Sequence, residues 1–163
     1  MEGHGFNATL LRDGKAVCEV IDDAHGGPYM FRWLDRDARA TVHTLNYQDE
    51  PHQYPGTVEE AAFAAHCMAL PSTTYMGREM RQSPETVVSK LIDAFELEKR
   101  LKRALKTKVI FIDGGREYSI APKVKGTDPL LVVDAVKQRH PSATILNTLP
   151  LDEAVRLLLA LVR

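Results

Sequence analysis

The sequence predicts an α+β fold: an N-terminal antiparallel β-meander with a helix, then a long helix and a β-hairpin–α–β–α C-terminal part. Three observations predict it. Apolar and polar residues alternate between Phe6 and Trp33, with an Asp-Gly step between two of the runs, which is the pattern of paired strands. Two helix-start patterns, Thr57-Val58-Glu59-Glu60 and Ser83-Pro84-Glu85, precede apolar residues at helical spacing. A second turn, Asp113-Gly114-Gly115, then separates two short strand-like runs.

The elements follow in order. Phe6, Ala8 and Leu10 alternate with Asn7 and Thr9, as in a half-buried strand. Asp13-Gly14 supplies the positive φ angles of a type I′ hairpin, and residues 16–21 return as the second strand. Residues 22–28 connect to a third strand that puts Tyr29, Phe31 and Trp33 on one face and Met30, Arg32 and Leu34 on the other. Residues 35–40 are charged and read as a loop or short helix. Residues 41–47 are ambiguous between helix and strand. Residues 48–56, with Pro51, Pro55 and Gly56, read as loop. The alanine-rich helix from Thr57 should end near Leu70, before Pro71, and residues 71–82 read as a linker.

In the helix from Ser83, Val88, Leu91, Ile92, Phe95, Leu101 and Leu105 form an apolar stripe out to about Lys106. Residues 109–112 and 117–121 make the second hairpin. Thr127-Asp128-Pro129 opens another helix that His140-Pro141 closes. Residues 143–146 are a short strand, and residues 150–161 a final amphipathic helix with Asp152 and Glu153 in its first turn. The expected division is a lobe of residues 1–82 and a lobe of residues 83–163, or one compact domain.

Composition places the chain among ordinary globular proteins: 163 residues, 44% hydrophobic and 26% charged. A chain of this length buries about two-thirds of its unfolded surface and needs no staples. Two cysteines, Cys18 and Cys67, are too few for a disulfide framework. No apolar run resembles a signal peptide or membrane span, so a reducing cytoplasm is the expected compartment. The net charge of −1 argues against a dedicated nucleic-acid coat. Its distribution is uneven, however. Residues 1–82 hold seven Lys/Arg and twelve Asp/Glu, a net of −5, whereas residues 83–163 hold fourteen and ten, a net of +4.

The stretch Asp22 to Trp33 packs two acids, a histidine, a Gly-Gly-Pro turn and three aromatics into one short segment. Gly26 and Gly27 let backbone amides approach a ligand, His25 and Arg32 supply charge, and Tyr29 can stack. Against this, Gly27-Pro28 belongs to an ordinary turn, the aromatics suit a core face, and Asp22 and Asp23 repel a bare phosphate. The candidate ligand- or partner-binding corner is Asp23, His25, Gly26, Gly27, Tyr29 and Arg32. A second candidate is the basic run after Glu98. If helical, Lys99, Lys102, Arg103 and Lys106 share a face and form a candidate anion-binding set. Cations also suit a helix C-terminus, so a solvated face competes with that reading.

Other chemistries have less support. His43, His52, His66, Cys18 and Cys67 lack paired metal-ligand spacing, so no metal and no cofactor is expected. No GxSxG, P-loop or GxGxxG motif occurs. An enzyme would have to use His25 with Glu19, Asp22 and Asp23.

Three segments carry a likeness. Phe6-x-Ala8-x-Leu10 with Asp13-Gly14-Lys15, Asp23-x-x-Gly26-Gly27, and His140-Pro141-Ser142-Ala143-Thr144-Ile145-Leu146-Asn147 followed by Leu149-Pro150-Leu151-Asp152-Glu153-Ala154 resemble a group of small phage and prophage hypothetical proteins. The resemblance carries no activity. It implies a phage accessory product acting in the host cytoplasm, of the kind that counters host defence. The partners expected on that basis are a host protein or a small anionic nucleotide, with nucleic acid less favoured and no membrane.

Overall fold

The computed structural model describes residues 5–46, 50–75 and 77–161. The fold is mixed α+β, and chain contacts divide it into two units, Met1–Ser89 and Lys90–Arg163.

In the first unit, β1 (Phe6–Arg12), β2 (Lys15–Asp22) and β3 (Met30–Trp33) form the antiparallel meander β1-β2-β3. The Asp13-Gly14 turn has φ of 53° and 77°, the double positive that a type I′ hairpin needs. Register places Cys18 opposite Trp33 and Val20 opposite Phe31, so the buried Cys18 and Val20 share a face with the β3 aromatics. Trp33 continues this layer to Phe63 of α1 (Val58–Ala69), ring to ring at 5.9 Å.

The helix α1 starts where expected, and its capping box is complete. Thr57 Oγ1 accepts from the Glu60 amide, and the Glu60 carboxylate accepts from the Thr57 amide. Asp35 adds a further acceptor, taking the Glu59 amide at 2.9 Å.

Two sequence expectations fail in this unit. The ambiguous stretch 41–47 is strand as far as Leu45, part of β4 (Arg39–Leu45), which pairs along its whole length with β5 (Pro51–Thr57), most of which read as loop. Proline misled the reading. A two-stranded sheet leaves each strand one unpaired edge, where a proline without N–H costs no ladder bond. Residues 47–49 of both readings lie outside the described residues. The expected linker 71–82 contains a small hairpin, β6 (Thr73–Tyr75) with β7 (Arg78–Met80). Of the loop or short helix expected for residues 35–40, residues 35–38 are a turn, and Arg39 and Ala40 already belong to β4.

The helix α2 (Pro84–Ala104) begins at the Ser83 cap, whose hydroxyl accepts from the Thr86 amide. It ends two residues before the expected Lys106. In the second unit, β8 (Val109–Asp113) is the central strand of the order β10-β8-β9, with β9 (Arg116–Ile120) and β10 (Thr144–Ile145) antiparallel to it. Val109, Ile110 and Phe111 are all buried. Successive strand residues face opposite ways, so both faces of the sheet are covered. Val109 and Phe111 pack with Ile145 and with Val133 and Val136 of α3 (Val133–Arg139). Ile110 packs with Leu101 of α2, with Leu146, and with Ala154, Val155 and Leu158 of α4 (Leu151–Leu161). A continuous apolar run, not alternation, is what such a strand requires.

The helix expected from Thr127 begins as a 3-10 turn, Pro129–Val132, with Asp128 accepting the Leu130 amide, and becomes α3 only at Val133. Among the described residues, no helix is long and apolar enough to cross a membrane.

Candidate functional site

At the N-terminal corner the structure brings Asp23, His25 and Gly26 together, but mostly to satisfy one another. Asp22 Oδ1 accepts the Ala24 amide at 2.9 Å, and Asp23 Oδ1 accepts the His25 amide at 3.0 Å. These are Asx turns, in which the carboxylate replaces a backbone acceptor. They hold Ala24 at φ 64° and precede Gly26 at φ 76°. The His25 ring nitrogen Nδ1 lies 2.7 Å from the Asp23 carbonyl and 3.6 Å from its carboxylate, with the side chain almost fully exposed.

Tyr29 and Arg32 belong elsewhere. The Tyr29 ring packs edge-on against Phe6 at 5.1 Å, and its hydroxyl is 2.9 Å from Ser89 Oγ. Arg32 pairs across the sheet with Glu19 at 3.1 Å, its register partner. A ligand at this corner would meet two carboxylates already engaged with backbone, an exposed imidazole and no convergent cation. Deeper in this unit, Trp33 Nε1 and Asp35 Oδ1 are buried without a hydrogen-bond partner among the described residues. Each such group costs about 1–3 kcal/mol.

The two thiols lie in the core. Burial pushes Cys18 and Cys67 each up to about 11, which keeps them protonated and poor as nucleophiles. Cys67 borders a hollow of about 200 Å³ whose polar lining includes Gln82, and Gln82 Nε2 donates to the Pro71 carbonyl at 3.0 Å. Among the described residues, no three His, Cys, Asp or Glu side chains gather in a way that could hold a metal ion.

In the second unit the basic run makes a concave surface. A hollow of about 390 Å³ is lined by Lys99, Arg100, Arg103 and Lys108, together with Glu96, Ala104 and Thr107. This set differs from the expected helical face. Lys99 and Arg103 line the hollow, whereas Lys102 and Lys106 are exposed and do not. Lys106 leaves the helical register because α2 stops at Ala104. The next residues wind tightly, with the Thr107 and Lys108 amides both donating to the Ala104 carbonyl at 3.0 and 2.9 Å. That turn points the chain back and carries Lys108 to the rim.

Asn147 fixes this turn. Its Nδ2 donates to the carbonyls of Lys108 (2.9 Å) and Leu105 (3.3 Å), and its Oδ1 accepts the Ile110 amide at 2.8 Å. Two cations of the hollow have acidic neighbours: Lys99 with Glu96 at 3.4 Å and Arg100 with Glu117 at 2.9 Å. Arg103 and Lys108 have none within ion-pair distance among the described residues.

Sequence reasoning missed one cluster. Asp113 receives His140 Nδ1 at 2.9 Å on one oxygen and the Ser142 hydroxyl at 3.0 Å on the other. Those two hydrogen bonds, His140 first, hold the Asp113 carboxyl below its usual value. The His140 ring also packs on Phe111 at 4.9 Å. The trio contains the residue types of a hydrolase triad but not its order. Its serine bonds the acid rather than the imidazole, so no base activates it. Its effect is structural: it ties the end of α3 to the β8–β9 hairpin. Sequence separation of 27 and 29 residues between the partners left no local signal of the contact.

Comparison of the chain with protein-family models, with curated proteins and with solved structures returns no match.

Proposed function

We propose that the chain is a non-enzymatic binding protein of the phage accessory type. Its ligand is a phosphate-bearing anion of nucleotide chemistry, seated in the hollow at the end of α2. The observation that carries this reading is the convergence of Lys99, Arg100, Arg103 and Lys108 on one open hollow, where Glu96 and Glu117 pair Lys99 and Arg100 and leave Arg103 and Lys108 without an acidic partner among the described residues. The surrounding charge agrees. The unit Lys90–Arg163 holds fourteen Lys/Arg and nine Asp/Glu, a net of +5, against −6 for Met1–Ser89. A cationic concavity concentrates anions and steers their approach.

The enzyme reading through His25 has less support, because Asp22 and Asp23 are engaged by backbone amides and no cation stands beside them to hold a phosphate. Capture of a host protein remains the rival binding mode, and the same cations would serve an acidic protein surface.

Thermal shift and titration calorimetry across a panel of mono-, di- and cyclic nucleotides test the reading. A ligand at 100 times its Kd should stabilise the protein by about 2.7 kcal/mol. Binding should weaken on raising salt from 50 to 200 mM, and the paired charge reversals Arg103→Glu and Lys108→Glu should abolish it. Failure of nucleotides and longer phosphate polymers alike to bind at low salt would overturn the reading.

A further inference from the structure

We infer that the ligand of the basic hollow is a single-stranded nucleic acid, with a base stacked on Phe95; this rests on the phosphate-binding reading above. The hollow itself offers a base no aromatic ring, only the guanidinium planes of Arg100 and Arg103. Its lining is four cations, one carboxylate, Ala104 and Thr107. The nearest aromatic along the helix is Phe95, one turn before Lys99. The residue is 61% exposed, an unusual state for a phenylalanine. Lys99 Nζ sits 5.8 Å from the ring centroid, which joins the aromatic to the cationic surface.

On its other side Phe95 lines a second hollow of about 560 Å³ with Leu91, Ala94, Leu151 and Val155, rimmed by Glu98 and Asp152. The carboxylates there disfavour phosphate, while the apolar floor accepts a base. From Phe95 to Arg103 is eight residues of helix, about 12 Å. One phosphate does not span that length, but a few linked nucleotides do, at ~3.4 Å or more per step. A charged track beside an exposed aromatic is the general design for single strands, because every base has a π-face. A duplex keeps its bases inside the stack, where Phe95 cannot reach them.

The test uses the full chain and a fluorescein-labelled 12-nucleotide single strand at 50 mM salt, with the same sequence as a duplex, inorganic polyphosphate and poly-glutamate as competitors. The single strand should bind more tightly than the duplex. Phe95→Ala should weaken single-strand binding roughly 5–150-fold and leave polyphosphate unaffected. Phe95→Trp should retain binding, and Arg103→Glu with Lys108→Glu should lose both ligands. Circular dichroism checks that each variant is folded, as expected for such an exposed ring. Equal binding of strand and duplex, or an unchanged affinity in Phe95→Ala, overturns the inference and leaves phosphate binding standing if polyphosphate binds. Poly-glutamate binding as tightly as the strand overturns it in favour of an acidic protein partner. Absence of binding to every polyanion removes both readings.

Discussion

Replacing Asn147 by alanine tests how the hollow is held. One side chain satisfies three backbone groups: the Ile110 amide and the carbonyls of Leu105 and Lys108. Each hydrogen bond contributes roughly 0.5–1.5 kcal/mol net, and an orphaned buried group costs more. The 3.3 Å bond to Leu105 is the weakest, so Asn147→Ala should cost about 2–4 kcal/mol. For a chain of this size that is a fall in Tm of roughly 5–15 °C. Asn147→Asp keeps the acceptor for Ile110 but turns a carboxylate oxygen toward two carbonyls, so it should be no better than alanine. The assay is urea unfolding with constant slope, combined with hydrogen exchange at the Ile110 amide. That amide should lose protection in Asn147→Ala. A variant within 0.5 kcal/mol of the native protein, with Ile110 still protected, would refute the assignment.

Three further outcomes are expected. Thr57→Ala removes the α1 cap and should lower stability by about 1 kcal/mol, read from the urea midpoint. Asp113 has its folded pKa depressed below the ordinary 3.8. Its contribution is therefore present above that pH and lost as pH falls through the folded value; the acid limb of a stability–pH curve should flatten in Asp113→Asn, and an unchanged limb would count against the tie to His140. Cys18 and Cys67, buried and with pKa near 11, should resist a thiol reagent at pH 8 until urea unfolds the chain; prompt labelling of the native protein would contradict their burial.

Much of the fold was legible where turn chemistry and period agree. Asp13-Gly14 and the alternating runs specify β1 and β2 because only that turn matches the strand twist. Thr57 and Glu60, or Ser83 and Pro84, specify helix starts because orphan amides need acceptors. The sequence was silent where local signals conflict with pairing. Pro51 and Pro55 speak against a strand, yet β5 has a free edge on which they sit. The two-sided burial of β8 was hidden for a different reason. Val109-Ile110-Phe111 reads as a strand, but what covers each face comes from α2, α3 and α4, and nothing in the strand's own residues says which helix takes which face.

The site was legible as composition and not as shape. Asp22 and Asp23 look like available acids in a string of letters, but their carboxylates close Asx turns. The basic run was visible too, and structural demands explain part of it. Lys102 and Arg103 lie in the last turn of α2, where the dipole favours a cation by roughly 0.3–1 kcal/mol. Lys99 and Arg100 have Glu96 and Glu117 beside them. Surface pairs of this kind contribute little to stability. Lys108 lies past the last turn of α2, with its amide on the Ala104 carbonyl, and no acid stands within ion-pair distance among the described residues. Its place on the rim depends on a turn that Asn147 pins with two of its three hydrogen bonds. Helix-end electrostatics favours all the cations there, and of those lining the hollow the folded-back Lys108 and Arg103 are the two that no acidic side chain pairs among the described residues. That uncompensated charge is what supports the proposed anionic ligand.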